Sequence, residues 1–183
     1  MALKTLVKVG SVTNLSDARY CAGMGVDLLG FNVVEGHAKY VSPKQFQEIR
    51  GWITGPRIVA QVYGLTSSQL LTTIIEQYQP DLIESGMAEL AYIKGASLPI
   101  ILSLESNDAV PGDLNPAYVE VKSLEKTHSK LPLLVFVSSV PELDLALKKE
   151  NVAGIALHGG QEIKPGLKTY DELADILELL ETD

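Results

Sequence analysis

Residues 57–84 read RIVAQVYGLTSSQLLTTIIEQYQPDLIE, and three kinds of local order follow one another along this stretch. Arg57 to Tyr63 is a short run rich in β-branched residues, which favours an extended strand. Ser67 to Tyr78 places Leu70, Leu71, Ile74, Ile75 and Tyr78 at helical spacing, so one apolar stripe faces a partner surface. Asp81 to Glu84, entered through Pro80, returns to a strand-like run. Strand, helix and strand in this order point to parallel pairing.

The same alternation extends in both directions. Thr5 to Val9, Asp27 to Val33, Pro99 to Leu104, Tyr118 to Lys122, Leu133 to Val137 and Val152 to Leu157 bring the strand candidates to eight. Asn14 or Ser16 is placed to cap a helix running through Met24, with Gly25 ending it. Ser42 followed by Pro43 is a cap with proline at the first helical position of Pro43 to Trp52. Pro141 similarly opens Pro141 to Lys149, and Tyr170 to Leu180 reads as an amphipathic final helix. Ser106 to Pro116 and Ser123 to Lys130 are polar and rich in helix breakers, so irregular or single-turn crossovers are expected there.

Eight such units define an α/β chain, a minimal (β/α)8 barrel in a single domain over residues 1–183. It is short for that architecture, for which roughly 250 residues is typical. Closure by pairing strand eight with strand one is expected, because eight apolar strands left open would expose an aggregation-prone edge.

Composition narrows the function. With 46% hydrophobic residues the chain can bury a substantial core, and its formal charge of -8 argues against a surface built to grip the nucleic-acid backbone. Any anionic ligand must be held locally. Cys21 is the only cysteine, so no intrachain disulfide forms, and no zinc-type Cys/His spacing is present. The opening residues carry charges inside a short apolar run and read as a first strand. No apolar run approaches the roughly 20 residues needed to span a bilayer. A cytoplasmic protein without membrane or nucleic-acid partners, cofactor or metal is expected.

Several segments carry a resemblance. Leu29-Gly30-Phe31-Asn32 followed by Lys39-Tyr40-Val41-Ser42-Pro43, and Gly154-Ile155-Ala156-Leu157-His158-Gly159-Gly160-Gln161-Glu162 running into Pro165-Gly166-Leu167-Lys168, resemble the second and eighth strands of phosphoribosylanthranilate isomerase with their following loops. Lys8-Val9-Gly10-Ser11-Val12-Thr13-Asn14 is similar to that family's Lys-Ile-Cys-Gly-Ile-Thr-Asn, and Pro80-Asp81-Leu82-Ile83-Glu84 to its Pro-Asp-Val-Val-Gln. The resemblance implies a role in tryptophan biosynthesis, through an Amadori rearrangement that needs a general acid at the sugar ring oxygen and a general base for the C2 proton.

In the family these are an Asp on strand six and a Cys on strand one. Gly10 stands at the cysteine position and offers no proton acceptor, while Glu120 of Glu120-Val121-Lys122 matches the acid. Strand periodicity puts Glu120 and Lys122 opposite the apolar Val119 and Val121, and the same rule turns Lys8 and Glu84 inward. These four charges form either a substrate-binding and catalytic set or a self-compensating network. The resemblance further implies that Lys39 replaces the arginine holding the substrate carboxylate, and that main-chain N–H groups of Ser138, Ser139, Gly159 and Gly160 hold a phosphate. Ala156 replaces a family aspartate. His158, at the inward end of strand eight, is a candidate proton acceptor, whereas His37 and His128 read as exposed loop residues.

Three readings follow. The chain binds a small phosphorylated sugar-type ligand without the standard isomerisation; or it is a working isomerase with Glu120 as acid and His158 or Glu84 as base; or it is an inactive structural or regulatory paralogue.

Overall fold

The structure, a computed structural model, describes residues 3–105, 108–124, 130–159, 161–164, 167–169 and 171–182. Eight parallel strands close a barrel: β1 (Leu6–Gly10), β2 (Leu28–Asn32), β3 (Arg57–Gln61), β4 (Leu82–Ser85), β5 (Ile100–Leu104), β6 (Tyr118–Val121), β7 (Leu133–Phe136) and β8 (Val152–His158). The expected (β/α)8 barrel is therefore present, with the strands paired in sequence order and β8 beside β1. The helices are α1 (Leu15–Gly23), α2 (Pro43–Arg50), α3 (Ser68–Tyr78), a single-turn α4 (Leu90–Ile93), α5 (Val140–Leu147) and α6 (Asp171–Leu180).

Helix starts follow the local chemistry read above. Asn14 caps α1 by accepting from the Asp17 N–H at 2.9 Å, and Gly25 leaves it with φ of 78°. Ser42 and Gln45 form a reciprocal capping box ahead of Pro43. Helix α5 starts at Val140, one residue before the expected Pro141, because proline is accommodated anywhere in a first turn. The segments following β5 and β6 contain no helix among the described residues. Two elements were not legible in advance. They are α4 and a small antiparallel hairpin after β8, made of β9 (Gln161–Lys164) and β10 (Leu167–Thr169).

Each strand turns one face to the helices and one into the barrel. The outer face joins Val7, Val9, Leu29, Phe31, Ile58 and Ile83 to helix residues such as Phe46, Ile74 and Leu177 in one buried core. Inside, Leu28, Val59, Leu82, Ile101 and Leu134 fill the N-terminal half of the barrel. Two residues further along the same faces, the layer becomes polar: Lys8, Gln61, Glu84 and Glu120 replace aliphatic side chains. At the opposite rim, Asp27 and Asp81 accept from the strand N–H groups of Val7 and Ile58 at 2.8 and 2.7 Å.

The closing seam depends on Gly154, which lies opposite Leu6. A Cβ there would meet the Leu6 carbonyl carbon at 2.9 Å and run still closer to its oxygen. Main chain cannot step aside as a rotamer does. Gly154→Ala is therefore expected to cost about 3 kcal/mol, the upper end for overpacking. Urea denaturation checks this, and an unchanged midpoint would show that the seam has slack.

Candidate functional site

The C-terminal ends of the strands surround a cavity of about 340 Å³, at the low end of the size of small-molecule sites. Its position is the one at which barrels of this type carry their sites. Lys8 forms its floor. The Lys8 ammonium, 2% exposed, lies 2.5 Å from Glu84 Oε2 and also pairs with Glu120 Oε2. Burial pulls its pKa down, but the carboxylates of Glu84 and Glu120 outweigh that and hold it above its ordinary value. Lys8 is thus a fixed ammonium.

The two carboxylates differ in how fully they are satisfied. Glu84 Oε1 accepts from Gln61 Nε2 at 2.8 Å and from the Tyr63 hydroxyl at 2.7 Å, while its other oxygen faces Lys8. Two hydrogen-bond donors and the Lys8 ammonium thus converge on one buried carboxylate. Burial first, and then Glu84 and Glu120, keep Tyr63 protonated by pushing its pKa above the ordinary phenol value. Glu120 has Lys8 alone as hydrogen-bond partner among the described residues and is 15% exposed. Its carboxyl is raised above the usual range, chiefly by burial; Lys8 opposes this and Glu84 adds to it. One ammonium thus faces two carboxylates at the floor of the cavity.

A pH dependence follows. Between the unfolded glutamate value of 4.5 and the raised folded value, the native state retains a proton that the unfolded chain has lost. Stability contributed by Glu120 is therefore full below pH 4.5 and declines as pH rises through its folded pKa. The stability difference between the parent and Glu120→Gln should move against the parent as pH rises from 5 toward 8, by roughly 1.4 kcal/mol for each pH unit that separates the folded from the unfolded value. Parallel pH profiles from urea denaturation would refute it.

The other residues singled out in the sequence take varied positions. His158 ends β8 and lines the cavity, with its ring 4.7 Å from that of Phe136. Although solvent reaches it, partial burial, followed by the nearby Lys39 and Lys8 ammonium groups, holds its pKa below the ordinary value. This favours the neutral imidazole. Lys122 departs from the expected interior set. It lies just beyond β6, is largely exposed and pairs with Glu105 at 2.7 Å on the rim of the cavity, which both residues line. Lys39 is exposed on the loop after β2 and does not line the cavity; His37 from the same loop does. Cys21 is buried in α1.

The expected anion-holding loops are already engaged. Ser138 donates through its main-chain N–H (2.7 Å) and hydroxyl (2.9 Å) to Glu142, the third residue of α5. These bonds, helped by Ser139, hold the Glu142 carboxyl below the usual range. The Gly159 N–H donates to the Gly10 carbonyl at 3.0 Å. Gly160, like His128, lies outside the described residues.

Sequence reasoning missed Gln61, which holds the site together. Its amide reaches across β2 to accept from the Ser11 N–H at 2.8 Å while donating to Glu84. It fits because Gly10 and Gly30 have no side chains: a Cβ at Gly10 would lie 3.1 Å from Gln61 Nε2, and one at Gly30 would lie 2.9 Å from its Cδ. The available signal was a glutamine in step with Val59 and Tyr63 on an inward strand face, opposite two glycines.

This architecture and its mouth can be set beside known proteins. No protein-family model and no curated protein matches the chain. Solved structures do. TrpF from Jonesia denitrificans superposes with a TM-score of 0.75 at 13% identity, covering 95% of each chain. Phosphoribosylanthranilate isomerase from Thermus thermophilus gives 0.73 at 17%, covering 94% of this chain and 96% of the other. A phosphoribosylanthranilate isomerase in complex with reduced 1-(o-carboxyphenylamino)-1-deoxyribulose 5-phosphate gives 0.71 at 16%, covering 95% and 97%. The class defined by the fold is a barrel built like these isomerases over almost its whole length. Among the described residues no helix is long and apolar enough to cross a membrane.

Proposed function

We propose that this chain is a divergent phosphoribosylanthranilate isomerase-like barrel. On this reading it binds a small phosphorylated sugar-type ligand at its mouth and does not use the family's cysteine chemistry. The observation that carries the reading is the Gln61 amide packed against Gly10, where the resemblance puts the catalytic cysteine. The space beside the strand is taken by a group that neither gains nor loses a proton near neutrality. The solved relative holding a deoxyribulose 5-phosphate derivative supports the ligand class.

A phosphate would lie against the loops after β7 and β8, where Ser138 already donates to a carboxylate. Glu142 acts there as a built-in anion that the ligand phosphate replaces. Glu142→Gln, which weakens that competition, should bind ribose 5-phosphate several-fold tighter than the parent, since roughly 1.4 kcal/mol is tenfold in affinity. Isothermal calorimetry with ribose 5-phosphate on both proteins tests the reading. No heat from either at millimolar ligand would remove the phosphate site and leave the structural-paralogue reading.

One observation favours a second reading, that of a working isomerase. Glu120 is held toward its protonated form and His158 toward its neutral form, and both line one cavity. An acid for the ring oxygen and a base for the C2 proton would then coexist in the required states. Here Glu120→Gln and His158→Gln would each reduce turnover by about 10²- to 10⁴-fold.

A further inference from the structure

We propose that the Ser11 hydroxyl is a ligand-contacting hydrogen-bond donor at the end of β1, with Gln61 as its positioning residue, recognising an oxygen acceptor on the small molecule. This rests on the reading that the mouth binds a sugar-type ligand, and assigns a contact to a residue which neither the resemblance nor the comparisons single out.

Ser11 has φ of 57°, in the left-handed region that glycine enters without strain. Among the described residues Gln79 is the other non-glycine residue there. Gln79 has an ordinary reason, since it ends α3 with its N–H on the Ile75 carbonyl. Ser11 ends no helix. It follows a strand, and it lines the cavity.

The conformation is fixed by a specific device. Gln61 Oε1 accepts the Ser11 N–H at 2.8 Å. Asn32 Nδ2 donates to Ser11 Oγ at 3.2 Å. The hydroxyl thus acts as an acceptor toward the protein, and among the described residues its own proton has no acceptor. Both clamping side chains are buried, Asn32 at 2% and Gln61 at 4% exposure, and Gln61 reaches Ser11 only across the bare backbone of Gly10 and Gly30. Four residues therefore hold a strained serine in one orientation at a cavity wall. A glycine would satisfy the backbone better, and what serine adds is the hydroxyl.

Calorimetry with ribose 5-phosphate is run on the parent, Ser11→Gly and Ser11→Ala, alongside thermal unfolding. Ser11→Gly should unfold at the same or a higher temperature than the parent, because the strain is relieved, yet bind about five- to tenfold more weakly, the value of one hydrogen bond. Ser11→Ala should weaken binding similarly without the gain in stability. If the parent binds and both variants bind equally well, Ser11 makes no contact and this inference alone falls. If the parent gives no heat, the ligand reading falls and takes the inference with it. The positioning role is read in Gln61→Met, which keeps the volume and loses the amide: there, adding Ser11→Ala should change affinity less than about twofold. A full five- to tenfold loss in that background would mean that Gln61 does not act through Ser11; should Gln61→Met not fold, the two Ser11 variants decide the contact without it.

Discussion

Lys8→Met is expected to destabilise the protein by about 3–5 kcal/mol at neutral pH, the cost of removing one partner from a buried ion pair. A folded domain has only about 5–15 kcal/mol in total, so partial unfolding at ambient temperature is within reach. The ammonium is 2% exposed and serves Glu84, itself 1% exposed, as well as Glu120. Methionine matches the aliphatic stem and supplies no charge, so both carboxylates are left facing one another without a cation. Their relief is to take up protons, so the deficit should shrink as pH falls toward 5. The triple variant Lys8→Met, Glu84→Gln, Glu120→Gln should recover most of the loss, because neutral groups of similar shape carry no comparable desolvation cost. Urea denaturation across pH measures all of this. A Lys8→Met protein within about 1 kcal/mol of the parent would mean that the interior is wet enough to solvate the carboxylates.

The second large effect concerns turnover. A positioned acid or base contributes roughly 10²- to 10⁴-fold, and the chain has glycine where the resemblance places the base. Phosphoribosylanthranilate turnover should fall below the typical enzyme range of about 1 to 10³ per second by at least that factor. Gly10→Cys should not restore it. The new Cβ would lie 3.1 Å from Gln61 Nε2 and 3.7 Å from the Lys8 ammonium, so the amide must give by a few tenths of an ångström and the thiol is expected to push it further. That displacement strips Glu84 and the Ser11 N–H of a partner each. Gly10→Cys should therefore be less stable than the parent by about 1–3 kcal/mol, as for other overpacked sites. Steady-state assay of both proteins decides the matter. Turnover in the ordinary range by the parent would overturn the binding-barrel reading and favour the pair Glu120 and His158.

Much of the barrel could be read locally. Strand and helix alternate because apolar residues recur at two different periods, and the helix starts at Asn14 and Ser42 follow from side chains that bond main-chain N–H groups within three residues. Inward placement of Lys8, Glu84 and Glu120 also follows from a period of two along each strand. These are short-range effects, and a linear sequence records them directly. The hairpin β9–β10 escaped because short strands in a polar segment carry little periodic signal.

The meaning of the charged residues was decided by tertiary structure. Closure of the barrel brings Lys8 between Glu84 and Glu120, residues 76 and 112 positions away, while Lys122, only two residues beyond Glu120, lies at the exposed rim of the cavity and pairs with Glu105. Ser138 looked like a free phosphate donor until the first turn of α5 placed Glu142 on it. Gly10 looked like a simple loss. Only the close approach of β1, β2 and β3 shows that Gly10 and Gly30 make room for Gln61, because the space a side chain occupies is set by neighbours distant in sequence.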